Sequence, residues 1–117
     1  MSTDLIELVS SQGESLTVKS IERLFRKANR FCFEVSWEGF CDLENSEEFF
    51  EDFFVQVPLM CLKFLDSLVE TDLQSVAQLL RMHKKLFSSV CSRHKVNLLD
   101  FAWYQQVLAL EGGVESL

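Results

Sequence analysis

Glycine and proline are nearly missing from this chain: four and one in 117 residues. So few turn formers disfavour a turn-rich β sandwich and favour long helices. There is also no run of roughly 18 uncharged apolar residues, the length a membrane-spanning helix requires. The longest candidate, Phe53 to Leu62, is broken by Gln56 and Pro58. Met1-Ser2-Thr3-Asp4-Leu5 has no basic segment followed by an apolar run, so no secretory leader is expected. Positive charge is short as well: eleven Lys and Arg face eighteen Asp and Glu, a formal charge of −7. That sign is wrong for neutralising phosphates, so no nucleic-acid partner is expected. Gly-rich phosphate loops, GxSxG and HExxH are all missing. Neither catalysis, nor a cofactor, nor a small-molecule substrate is expected.

What is present suits a folded domain: 48% hydrophobic, 12% aromatic and 25% charged residues, far from the composition of disorder. Cys32, Cys41, Cys61 and Cys91, in a chain without a leader, read as reduced thiols of the cytoplasm or nucleus. Cys91-x-x-His94 has the spacing of two metal ligands, but zinc sites announce themselves with two such pairs and here there is one. Read as a nucleophile and base, the same two residues lack an orienting group and an oxyanion hole.

The densest signal is Glu47-Glu48-Phe49-Phe50-Glu51-Asp52-Phe53-Phe54, with four aromatics and four carboxylates interleaved. On a helix, Phe49, Phe50, Phe53 and Phe54 would gather on one face and the acids on the flanks and back. Either these rings are core, or some of them, Phe50 and Phe54 foremost, form a patch that docks a partner. Charge is segregated around them. From Glu34 to Asp52 there are eight acids and no Lys or Arg, whereas Lys19 to Arg30 holds five bases and one acid. Two neighbouring elements attracting each other would explain this, and so would an acidic surface for a basic partner. The expected partner surface is Trp37, Phe40, Glu47, Glu48, Phe50, Glu51, Asp52 and Phe54, with the basic face of Lys19, Arg23, Arg26 and Arg30 next in line.

Along the chain, residues 3–12 read as a short helix ended by Gly13. Val18, Ile21, Phe25, Ala28, Cys32 and Val35 follow a 3-4-3-4-3 spacing and read as the clearest amphipathic helix. Phe31 to Trp37 has strand propensity but no obvious hairpin partner, so it is assigned to the helix end. Glu38 to Asn45 is a loop, and Asn45 with Glu48 resembles a capping box opening a helix near Ser46. Pro58 either starts a new helix or kinks a continuous one. Thr71 and Gln74 cap a helix carrying Leu73, Val76, Leu80, His83, Phe87 and Val90, with Arg81, Lys84, Lys85 and Arg93 outside. Asn97 and Asp100 open a last helix that Gly112 would stop.

Leu99-Asp100-Phe101-Ala102-Trp103 resembles the Leu-x-Asp-Phe-x-Trp opening of COMM domains; the resemblance covers five residues and implies no role for any of them. The sequence thus predicts an all-α fold, a single compact bundle of five or six helices over residues 1–111, with 112–117 a flexible end or the start of a linker. Val18, Ile21, Phe25, Phe53, Leu62, Leu65, Leu73, Val76, Leu80, Phe87, Phe101 and Trp103 would form its core. The expected function is a non-enzymatic protein–protein interaction domain, a scaffold or adaptor of an intracellular complex. Alternatives are a homodimerisation module built on the two heptad-like stripes, or a small regulatory or viral protein that captures an amphipathic helix in a groove.

Overall fold

A four-stranded antiparallel sheet occupies the ground where two helices were expected. The computed structural model describes the backbone of residues 6–9 and 15–115 and the side chains of 16–110. The strands β1 (Ile6–Val9), β2 (Ser15–Lys27), β3 (Arg30–Trp37) and β4 (Ser46–Phe49) form a meander in the order β1-β2-β3-β4. Five helices follow: α1 (Phe50–Gln56), α2 (Pro58–Asp66), α3 (Leu73–Met82), α4 (Lys84–Arg93) and α5 (Ala102–Glu115). The fold is therefore α+β, and the all-α bundle is wrong. The chain divides into two compact units, one within Met1–Met60 and one within Cys61–Leu117. Of the first predicted helix, residues 6–9 are strand β1, and its stop at Gly13 lies outside the described residues.

The misreading of β2 has a geometric cause. Val18 pairs with Trp37 and Ser20 with Ser36, so Lys19 is an extra residue; Ile21 pairs with Val35 and Arg23 with Glu34, so Glu22 is another. Each bulge adds one residue between inward-facing positions, turning a spacing of two into the three that separates Val18 from Ile21. A bulged strand thus imitates a helical period. The hairpin partner that seemed missing lies two residues away, because Lys27 pairs with Arg30 across Ala28-Asn29. Both of these residues sit at positive φ (52° and 65°), the pattern of a two-residue type I′ turn. Asn tolerates that conformation, whereas Ala does so rarely, and no glycine marks the turn.

β3 is the buried centre of the sheet, with Phe31, Phe33 and Val35 at or below 1% exposure. Trp37 turns to Gly39 and Phe40 at its end: Phe40 N–H donates to Trp37 O (3.1 Å), and Gly39 takes a φ of 86° that other residues avoid. The loop then makes a 3-10 turn at Asp42–Glu44. Asn45 opens no helix at Ser46; its amide donates to Glu34 Oε2 at 3.0 Å and the chain continues as β4.

The aromatic-acidic motif is split by a change of structure in its middle. Phe49 ends β4, and α1 begins at the next residue without a loop. Phe49 pairs with Cys32 on one face of the sheet, while Phe50, Phe53 and Phe54 turn inward and are buried. Phe33 meets Phe50 and Phe53 edge-on at 5.7 and 6.0 Å, and Phe50 stacks on Phe54 at 4.9 Å. Contacts of this kind are worth about 0.5–1.5 kcal/mol each beyond the area they bury. Three of the four rings are buried from α1, and Phe49, left half-buried at the end of β4, does not share their helix.

Pro58 opens α2 at its first position, where a missing N–H costs nothing. In the helical unit Asp72 caps α3 by accepting from Ser75 N–H (3.4 Å). The single helix expected from Leu73 to Val90 is broken at His83 (φ −122°, ψ 33°), which closes α3 and opens α4. Asn97 Oδ1 accepts from Leu99 N–H (3.0 Å) and shapes a 3-10 turn at Leu98–Asp100. Trp103 N–H at the start of α5 donates to Asp66 Oδ1, 37 residues earlier, at 2.9 Å. A carboxylate of α2 therefore satisfies an orphan donor of α5, a cap that no local pattern reveals. α5 continues to Glu115, past the stop expected at Gly112. Val76, Leu79, Phe87, Val90, Trp103 and Val107 fill this unit, and Phe87 lies 5.6 Å from Trp103. Of the predicted core, Phe25 and Leu73 are only half-buried, and the rest is buried.

Candidate functional site

The residues expected to meet a partner are mostly engaged within the sheet unit. Phe50 and Phe54 are 0% exposed, so the open aromatic patch is not found. Trp37 is buried, and its indole N–H donates to Ser46 Oγ (2.8 Å), which in turn donates to Glu48 Oε2 (2.6 Å). Glu47 pairs with Lys27 at 2.8 Å and Glu51 with Arg30 at 3.2 Å. Of the eight, Phe40 (42% exposed), Asp52 and the ion-paired Glu47 are on the surface.

The basic residues are engaged in the same way. Arg23 holds Glu34 at 2.6 Å and lies 4.4 Å over the Phe25 ring; Arg30 lies 3.5 Å over Phe49, and Arg26 5.0 Å over Phe31. Hydrogen bonds from Asn45 and Arg23 hold the Glu34 carboxyl below the usual carboxylate range. Glu22 is lowered by the hydroxyls of Ser20 and Ser36, which both donate to it. Lys27 is raised by its bond to Glu47. The acidic and basic blocks are thus cross-strand complements of each other. Each pair is solvated and weak, yet together they engage Glu34, Glu47 and Glu51 of the acidic block within the fold.

A concave apolar surface lies in the helical unit. A cleft of about 550 Å³ runs between the ends of α3 and α4, the turn after α4, and α5. Buried Leu80, Phe87 and Cys91 form its floor. Lys84, Ser88 and Ser92 line it at i, i+4 and i+8, one face of α4. Its exposed lip consists of Leu99 and Leu108, which are 53% and 42% exposed. Large apolar side chains left this open beside a concave floor mark a surface suited to an apolar partner.

A helix end folds this lip into place. After α4, Val96 N–H donates to Cys91 O (2.8 Å) and Lys95 N–H to Ser92 O (3.2 Å), the bonding of a Schellman motif. Lys95 takes the left-handed position (φ 57°) normally held by glycine. The turn sends the chain back along α4, and Val96, Leu98 and Leu99 line the cleft. Sequence reasoning missed this site because it looks for Gly at such a turn and finds Lys. The usable signal was Leu108, outside the run of Leu99, Ala102, Trp103, Val107 and Leu110 expected of the last helix.

Catalytic readings gain little here. Burial pushes the Cys91 thiol up, away from thiolate, and His94 is exposed while Cys91 is not. No cluster of three or more His, Cys, Asp or Glu suited to a metal occurs among the described residues. No described helix is long and apolar enough to cross a membrane. In comparisons with protein-family models, curated proteins and solved structures, the chain matches none.

Proposed function

We propose that this chain is a non-enzymatic protein–protein interaction domain, an adaptor or scaffold of an intracellular complex, and that its docking surface is the cleft of the helical unit. The observation that carries the reading is the pairing of that cleft with the exposed Leu99 and Leu108 at its lip. The sheet unit supports it by contrast, because its candidate contacts Phe50, Phe54, Glu47 and Glu51 already have partners within the fold. Among the cleft-lining side chains, Ser88, Ser92, Asn97, Tyr104 and Lys84 include neither a carboxylate nor a histidine to act as base. Four free cysteines, three of them buried, suit the cytoplasm or nucleus.

A photo-crosslinking amino acid in place of Leu108, in the chain expressed in its native cell, tests the proposal. A covalent adduct with another protein is expected at Leu108 and not at Leu43, which is 96% exposed in the sheet unit. Adducts at Leu43 alone would move the interface to the loop beside Phe40. Adducts only with a second copy of the chain would make this a homodimerisation module.

A further inference from the structure

Resting on the reading of the cleft as a docking surface, we infer that its occupant is an acidic amphipathic helix of another protein, apolar stripe on the cleft and carboxylates over the α4 rim. Charge complementarity points to the sign. From Leu73 to Leu99 the chain carries Arg81, Lys84, Lys85, Arg93 and Lys95 and no Asp or Glu. Of the acids that flank this stretch, Asp66 caps α5 and Asp72 caps α3, while Glu70 and Asp100 lie exposed and outside the cleft lining. Lys84 itself lines the cleft.

The helix dipole sharpens the case. Lys84 and Lys85 open α4, the end where the unsatisfied amides already carry partial positive charge. Acids are favoured there and bases are not, yet the first turn of α4 holds no acid and His83 gives it no side-chain cap. A local arrangement that opposes the dipole is relieved by an anionic partner and worsened by a cationic one. The shape fits as well. Lys84, Ser88 and Ser92 from one face of α4 line the same cleft as the exposed Leu99 and Leu108, so a bound helix could set side chains at i, i+3, i+4 and i+7 among them.

The probe is a fluorescein-labelled 18-residue peptide, acetylated and amidated, with leucines at helical spacing and glutamates on its other faces. Its comparators are a scrambled peptide of the same composition and an analogue with lysine for every glutamate. Anisotropy titrations use the full chain. The acidic probe is expected to bind at least tenfold tighter than either comparator, and to weaken as salt rises from 50 to about 300 mM. Lys84→Glu is expected to lower its affinity about tenfold, and Leu108→Asp to abolish binding while circular dichroism stays unchanged. Leu99→Ser, read the same way, serves if Leu108→Asp fails to fold. Equal binding of the scrambled or lysine peptide overturns the inference, as does unaltered binding by Lys84→Glu. A chain that crosslinks a protein at Leu108 but ignores the acidic probe keeps the interaction function and loses this partner chemistry. A second copy of the chain that competes the probe away also overturns it.

Discussion

The sheet unit and the helical unit solve the same problem, an excess of charge and large apolar side chains, in opposite ways. The first sixty residues hold five bases and twelve acids and so carry the whole net charge of −7, yet Arg23, Lys27 and Arg30 each meet an acid on a neighbouring element. The remaining residues hold six of each sign and are neutral, but every charge from Leu73 to Leu99 is positive. In the unit with the larger net charge the bases are tied to neighbouring acids, and an acidic excess remains because five bases cannot neutralise twelve acids. The neutral unit gathers its positive charge beside an apolar cleft. Net charge is thus a poor guide to where a partner would dock; local segregation of charge beside an apolar cleft is the better one.

Four experiments press on this contrast. The largest effect is expected in the cores: Phe50→Ala and Phe54→Ala should each cost about 3–5 kcal/mol in urea unfolding, because both rings are fully enclosed. A loss under about 1 kcal/mol at both would reopen the aromatic helix as an interface. Next, Asp66→Ala removes the carboxylate that caps α5 and should cost about 1 kcal/mol; Asp66→Asn, which keeps the acceptor, should restore most of it. Lys95→Gly and Ala28→Gly act in the other direction. Each relieves a left-handed residue, and each should stabilise by about 1 kcal/mol or less, read as a rise in melting temperature.

The smallest effect concerns pH. The Glu34 carboxyl is held below its ordinary value in the folded state, so its contribution is present above about pH 4.5 and is lost as pH falls through the folded value. Glu22 acts in the same window. Lys27 is raised, so its contribution is full at neutral pH and fades only as pH rises through its folded value, above the ordinary 10.5. Urea midpoints should therefore be level from pH 5 to 9 and fall on the acid side, and Glu34→Gln should flatten the acid limb. A Glu34→Gln variant with an unchanged acid limb would show that the cross-strand pairs do not order the sheet face.

Legibility differed sharply between the two units. In the helical unit, the apolar stripe of Val76, Leu80, Phe87 and Val90 and the exposure of Arg81, Lys84, Lys85 and Arg93 were readable, because helix periodicity is local. Its breaks were less so. His83 interrupts one stripe without a Pro or Gly, and Lys95 ends a helix in a glycine position. In the sheet unit, two bulges and an Ala-Asn turn removed the usual strand and hairpin signs. The strand-to-helix change between Phe49 and Phe50 hid the face that each ring would take.

By itself, the sequence determined that the chain folds around large apolar side chains, that Pro58 would mark a helix start or kink, and that acidic and basic blocks stand apart. These are local or compositional properties that hold in any compact arrangement. Only the tertiary structure decided that the blocks face each other across strands, that Asp66 caps a helix 37 residues away, and that Leu99 and Leu108 stay open beside Lys84. The reason is that strand pairing and capping join residues distant in sequence. A period of three or four cannot tell a bulged strand from a helix until its hydrogen-bond partner is known.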